Sequence, residues 1–341
     1  MVTAFLPLLV TVPLAILFRN YWALVFGSLA SKATEAGILL WKSPWKPKFS
    51  YSIPVFKEMF GFSFWTMLES FTVWLTQYVG IFIVGNILND YYLGLYQTSI
   101  STVNAYMAMI TSAVMPVLFS TLSRLQNDGD QYNKTLFKFQ RLIAMFVIPM
   151  SVGLFLFRDL VTEILLGKNW MEASGLIGLW SLTSGFTIVY SHICSEVYRS
   201  KGKPKISLLA QVIHLVFLIP AIYVSAKHGY AALAVVRPLM RIQGILVHAI
   251  LLRVVFKISF IEMIKNTFPY VFGACAMALF ATALRTVSGT LLWSFFVILL
   301  CVLFYFMLIS LFPSVRRELE PVLRSTWEKF KQRAVGLHFA K

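Results

Sequence analysis

Ten apolar stretches run through the sequence, and the gaps between them alternate between rich and poor in Lys and Arg. A helix needs about 20 mostly apolar residues to cross roughly 30 Å of hydrocarbon. The stretches fall at about 3–19, 21–41, 60–84, 93–119, 139–157, 173–195, 206–226, 230–252, 267–286 and 290–312. Their lengths suit helices, and windows such as VFGACAMALFATAL lack the polar/apolar alternation of an outer-membrane barrel. A helix satisfies its own backbone in lipid. The sequence therefore predicts an all-α polytopic transmembrane helix bundle of about ten spans. With 58% hydrophobic and only 13% charged residues, the chain has too little polar surface for a water-soluble globule of 341 residues.

The net charge of +16 raises the question of nucleic acid, and its distribution answers it. One set of gaps carries Lys42, Lys46, Lys48 and Lys57, then Arg124, Lys134, Lys138 and Arg141, then Arg199, Lys201, Lys203 and Lys205, then Arg253, Lys257 and Lys265, and finally the tail from Arg316 to Lys341. The opposite gaps hold Arg19, Arg158, Lys168, Lys227 and Arg285. By the positive-inside rule the first set is cytoplasmic, which puts both termini in the cytoplasm. The basic charge is a topology signal, with attraction to anionic membrane lipids as a by-product and no nucleic-acid partner. The start, MVTAFLPLLVTVPLAILF, lacks a basic residue after Met1 and leads directly into another apolar run, so it reads as a span rather than a signal peptide.

The gaps are short. The longest on the outer side, about 158–172, cannot fold as a domain, so function lies within the bundle or at its faces. The segment 42–59 is a cytoplasmic linker stiffened by Pro44, Pro47 and Pro54, with Trp41 and Trp45 suited to the interface. In the tail, 313–341, Leu319, Val322, Leu323, Trp327 and Phe330 alternate with basic residues at helical spacing, which predicts an amphipathic helix on the cytoplasmic leaflet. Cys194, Cys275 and Cys301 lie in spans without metal-ligand spacing and read as small buried hydrophobes.

Three basic residues, Lys32, Arg237 and Arg241, remain inside spans, with Glu35 and Glu69 at similar middle depths. Ionisable groups there cost about 2.5–3.5 kcal/mol each and so face a cavity or a partner. Lys32 and Glu35 are three apart and suit either an ion pair or a cavity wall. Arg237 and Arg241 are four apart on one face and repel each other. Their span contains no acid, so they need Glu35, Glu69 or a ligand. Two stacked guanidinium groups could grip a phosphate through bidentate hydrogen bonds. Pro238 removes a helical hydrogen bond beside Arg237. Glu69 suits a coupling proton or a salt bridge. Gln77, Gln97 and Asn104 suit sugar hydroxyls or helix–helix hydrogen bonds. His214 suits a packed neutral ring or a proton relay. His192, Glu196 and His248 lie nearer the cytoplasmic ends, where snorkelling suffices. No GxSxG, HExxH, P-loop or CxxC grouping is present, so the residues give no sign of an enzyme or of a cofactor.

From about residue 40 an ordered series of segments resembles a known family. The series runs SPWKPKFS, FGFSFWTMLESF, IFIVGNILNDYYLGLYQ, VMPVLFSTLSRLQND, RDLVTEILLGKNWMEA and VYRSKGKPKI. Together, in order, they resemble the polysaccharide (O-antigen and exopolysaccharide) flippases of the multidrug/oligosaccharidyl-lipid/polysaccharide exporter superfamily. That resemblance implies a bacterial cytoplasmic membrane protein of about fourteen spans, built as two six-helix lobes and two further helices. Residues 1–41 would then be the last two helices of a first lobe lacking about four N-terminal helices. Residues 60–256 would form the second lobe and 257–312 the additional pair. The implied activity is movement of a polyprenyl-diphosphate-linked glycan from the cytoplasmic to the outer leaflet by alternating access, alongside polysaccharide-assembly proteins. The cavity residues would be Arg237, Arg241, Lys32 and Gln77, with Glu69, Glu35 and His214 as coupling or ion-pair groups. The alternatives are a multidrug-type cation antiporter of the same superfamily, which the two arginines disfavour, a glycan polymerase, for which the outer loops are too short, and an inactive truncated flippase.

Overall fold

The structure is a computed structural model that describes residues 11, 13, 14, 16, 22–44, 52–313, 315 and 316. Its described segments are helices with short connections and no strand. Helix α1 is Trp22–Lys42, α2 Ile53–Ile87, α3 Asp90–Arg124 and α4 Gly129–Leu156. Then come α5 Arg158–Leu166, a 3-10 turn at Lys168–Ala173, α6 Ser174–Thr187 and α7 Ile193–Ser200, with a π-helical turn at Ile188–His192 joining α6 to α7. The last four are α8 Pro204–Lys227, α9 Tyr230–Phe256, α10 Phe260–Arg285 and α11 Leu291–Ser310.

Among the described residues eight helical segments are long and apolar enough to cross a membrane, with 168–200 counting as one. They match the last eight apolar stretches of the sequence. Helix α1 covers the second stretch at 21 residues and carries Lys32, Glu35, Ser28, Ser31 and Thr34 within it. Of the first stretch only residues 11, 13, 14 and 16 are described, and the tail positions Leu319 to Phe330 lie outside the described residues. The helices outrun the apolar stretches at their ends: α2 begins seven residues before the run at 60–84 and ends three after it. Backbone hydrogen bonding carries a helix past the hydrocarbon once the chain has been nucleated.

Local chemistry fixes the turns. Asn89 caps α3 by accepting from Tyr92 N at 3.0 Å, and Asp128 caps α4 by accepting from Gln131 N at 3.1 Å. Pro204 sits in the first turn of α8, where its missing N–H costs nothing. Gly202, at φ 68°, makes the reversal between α7 and α8.

The chain divides into two compact units, residues 1–59 and 60–341. In the second, α4 packs on α10 and on α6, α9 on α8 and α6, α3 on α6 and α7, and α11 on α10. The 168–200 segment is thus central, and most of its apolar window is buried. Helix α2 is tied in by a few specific contacts. Gly80 leaves space for the fully buried Tyr96, whose hydroxyl occupies the position a Cβ would need.

Candidate functional site

Helices α2, α3, α6, α8 and α9 surround a cavity of about 350 Å³. Its wall includes Thr76, Gln77, Asn104, Trp180, Ser184, His192, His214, Arg237, Arg241 and His248. A second cavity, of about 680 Å³, shares Val73, Thr111, His192, Ser195 and Gln211 with it and carries Glu69, Glu196 and Arg199. The shared residues make the two neighbours. Arg237 and Arg241 lie about 10 and 16 Å along α9 from Tyr230, at 1.5 Å per residue. Glu196 and Arg199 lie in the last turns of α7. The arginine pair is therefore deep and the acidic cluster near one end.

Arg237 is 3% exposed. Its Nε donates to the Tyr96 hydroxyl and one Nη to the Thr76 carbonyl, both at 3.1 Å. Arg241 donates to Ser184 Oγ. The Ser184 hydroxyl in turn donates to the carbonyl of Trp180. Both guanidinium groups lie over the Trp180 ring, with Arg237 Cζ 4.8 Å and Arg241 Cζ 3.4 Å from its centroid. Neither arginine has a carboxylate partner among the described ion pairs. A guanidinium has five N–H donors, so both retain donors beyond those used here.

The other sequence candidates separate. Gln77 lines the same cavity as the arginines. His214 also lines it, with Nδ1 2.7 Å from Gln243 Oε1. Glu69, 6% exposed, stands in the second cavity and accepts from Ser207 Oγ at 2.6 Å, while its Oε2 has no partner. It does not pair with Arg237 or Arg241. Lys32 and Glu35 pair with each other at 2.8 Å on α1, where the lysine side chain is 79% exposed. The charge of Lys32 is therefore answered on its own helix, three residues on. Asn104 accepts from Trp180 Nε1 at 3.1 Å.

Several expectations change. Cys275, expected to be buried, is exposed. His248 and Glu196 do not snorkel: both are buried, His248 with Nδ1 3.3 Å from the Tyr198 hydroxyl and Glu196 paired with Arg199. His192 opens onto the cavity. The cause is the π-helical turn at Ile188–His192, which adds a residue to one turn and rotates the helix beyond it. Pro238 lies inside the continuous helix α9, where it removes one hydrogen bond beside Arg237 as expected. The irregularity that shapes the cavity is in the facing segment instead. Trp180, Ser184 and Tyr96, to which the sequence assigns no role, form the arginine cradle. The one sequence signal for them is spacing: Trp180 and Ser184 are four apart, as are the arginines they hold.

A family model described as polysaccharide biosynthesis protein matches residues 1–175, and so begins ahead of the resemblance read from residue 40. An uncharacterized membrane protein in the cps region of Klebsiella pneumoniae is 24% identical over 218 residues, 63% of this chain and 45% of that protein. The succinoglycan biosynthesis transport protein ExoT of Rhizobium meliloti is 24% identical over 185 residues, 54% of this chain and 37% of that protein. The chain thus spans less than half the length of these curated relatives. Among solved structures, the lipid II flippase MurJ in an inward closed conformation has the same fold, with a TM-score of 0.68 at 19% identity. That match covers 93% of this chain and 67% of MurJ. With its apolar helices, these relatives make this chain a multi-pass bacterial membrane protein.

Proposed function

Because the chain belongs to the polysaccharide biosynthesis protein family, we propose that it serves as a flippase for a lipid-linked glycan precursor. The cargo is a polyprenyl-diphosphate-linked glycan, moved from the cytoplasmic to the outer leaflet by alternating access. The observation that carries this reading is the deep guanidinium pair, which faces a cavity and has no acid partner among the described residues. One buried and one half-buried positive charge, without a counterion among the described residues, favour an anion, and a diphosphate matches two guanidinium groups in charge and in hydrogen-bonding geometry. Gln77, Asn104 and His192 on the same wall supply polar contacts for sugar hydroxyls. A cationic drug would meet like charge here, which disfavours the multidrug reading.

The end carrying Arg199, Lys201, Lys203 and Lys205 faces the cytoplasm in this proposal, by the positive-inside rule. The acidic cluster then lies toward the cytoplasmic mouth and the arginines beyond it. A positive-outside potential favours outward movement of an anion by about 2.3 kcal/mol per charge per 100 mV. Residues 60–256 act as one lobe of the transporter, with 257–312 packed on it as an additional helix pair, and both termini cytoplasmic.

The test is complementation of a strain lacking its own polysaccharide flippase. The wild-type chain restores surface polysaccharide. The Arg237→Ala/Arg241→Ala double variant does not, at equal membrane abundance. Full restoration by the double variant overturns the site assignment.

A further inference from the structure

Two like charges one turn apart repel, and among the described residues no carboxylate holds Arg237 and Arg241 side by side. What lies against both is an indole. We infer that Trp180 is the positioning residue of the anion site. It gathers the two guanidinium groups by cation–π attraction and leaves their charge uncompensated. The inference rests on the flippase reading for the identity of the anion.

The geometry is a matched register. Trp180 and Ser184 are four apart on α6, Arg237 and Arg241 four apart on α9, and the two helices pack against each other. Both arginines therefore meet the indole, which is 2% exposed, and Arg241 meets Ser184 as well. The ring is itself held: its Nε1–H donates to Asn104 Oδ1 on α3 at 3.1 Å. Indole nitrogen is a donor only, so this bond fixes the ring's rotation about its own axis. Ser184 completes the arrangement by accepting from Arg241 while donating to the Trp180 carbonyl.

An aromatic face does what a carboxylate there could not. A carboxylate would hold the arginines equally well, but it would cancel their charge and occupy the donors that an incoming diphosphate needs. The ring quadrupole attracts cations without carrying net charge, and the attraction strengthens where water is excluded. The site is thus preorganised and still cationic, which lowers the reorganisation needed when an anion arrives.

The experiment uses the whole chain in lipid nanodiscs, with two probes: undecaprenyl diphosphate and undecaprenol, the same polyprenyl chain without phosphates. Their affinity ratio reads anion preference and divides out general effects on lipid binding. Wild type prefers the diphosphate. Trp180→Phe, which keeps an aromatic face, retains that preference within about threefold, and Trp180→Leu loses roughly 30-fold of it. Trp180→Met, apolar and flexible, repeats the loss should the leucine variant fold poorly, with undecaprenol binding as the check on folding. A leucine or methionine variant that keeps the wild-type ratio overturns the positioning role, as does a phenylalanine variant as damaged as the leucine one. A wild type that binds both probes equally overturns the anion site itself, and the positioning role falls with it. In that case Arg241→Ala also changes nothing, so the two failures are told apart.

Discussion

The two adjoining cavities hold arginines in regions built on opposite plans. Near the end of the bundle, Arg199 stands with two acids: Glu196 pairs with it, and Glu69 lies within electrostatic reach. Deeper, Arg237 and Arg241 stand with none among the described residues and are held by Trp180, Tyr96, Ser184 and a backbone carbonyl. The first region answers its positive charge within the chain, and the second leaves it unanswered. Burying an unpaired charge is costly, and such a cost persists at a functional site rather than a structural one. On the proposed function, the difference separates an arginine that holds the bundle together from arginines that receive the anion.

The comparison breaks most sharply if the deep region is given the plan of the shallow one. Ser184→Asp places a carboxylate where Arg241 now has a hydroxyl. Undecaprenyl diphosphate binding is expected to fall roughly a hundredfold, about 3 kcal/mol, the scale of a buried charge pair. The thermal midpoint should hold or rise, because an unanswered charge has gained a partner. Binding that survives the substitution would show that the free charge is not what the cavity uses.

The reverse operation removes the cation from the shallow region. Arg199→Ala leaves Glu69 and Glu196 facing one cavity with no guanidinium between them. Losing one partner of a buried pair costs about 3–5 kcal/mol, but the Arg199 side chain is 34% exposed, so about 2 kcal/mol is expected. Adding Glu196→Gln should return most of that loss, by removing the charge left unpaired. Denaturant unfolding of the single and double variants in detergent measures both. If Arg199→Ala instead abolishes diphosphate binding at unchanged stability, the two regions are one site.

A finer test acts on how the deep region is held. Tyr96→Phe removes the hydroxyl that accepts from Arg237 Nε and leaves that buried donor unpaired. The expected cost is about 1 kcal/mol, near fivefold in diphosphate affinity. Gly80→Ala should act in the same direction, since its Cβ would displace the Tyr96 hydroxyl. An unchanged affinity in both would mean that Trp180 alone sets the position of Arg237.

The fold was legible because hydropathy is a signal averaged over about 20 residues, and eight stretches could each be off by several residues without changing the architecture. The site was legible where it is ionic. Arg237 and Arg241 stand out in a span because charges are rare there, and Gln77 and His214 line the same cavity. Trp180 and Tyr96 were not legible, since an aromatic residue in an apolar span looks the same whether it faces lipid, a neighbour or a cation. Nor was the inward turn of His192: depth along a span can be counted from sequence, but the rotation introduced by the π-helical turn at Ile188–His192 cannot. The pairing of Glu196 with Arg199 was within reach, as they have the same three-residue spacing as Lys32 and Glu35.

That last spacing defines the smallest effect. Lys32, like Arg237, is a cation within an apolar run, yet it has its counterion three residues on and its side chain is open. An exposed pair on one helix contributes little, because both partners can be solvated separately. Lys32→Met and Glu35→Gln should each leave the ratio of diphosphate to undecaprenol affinity at its wild-type value and shift the thermal midpoint little. The informative contrast is with Arg241→Ala, read by the same two probes. If Lys32→Met lowers the ratio as Arg241→Ala does, then a cation already paired on its own helix still serves the anion. The distinction between answered and unanswered charge would then no longer identify the site.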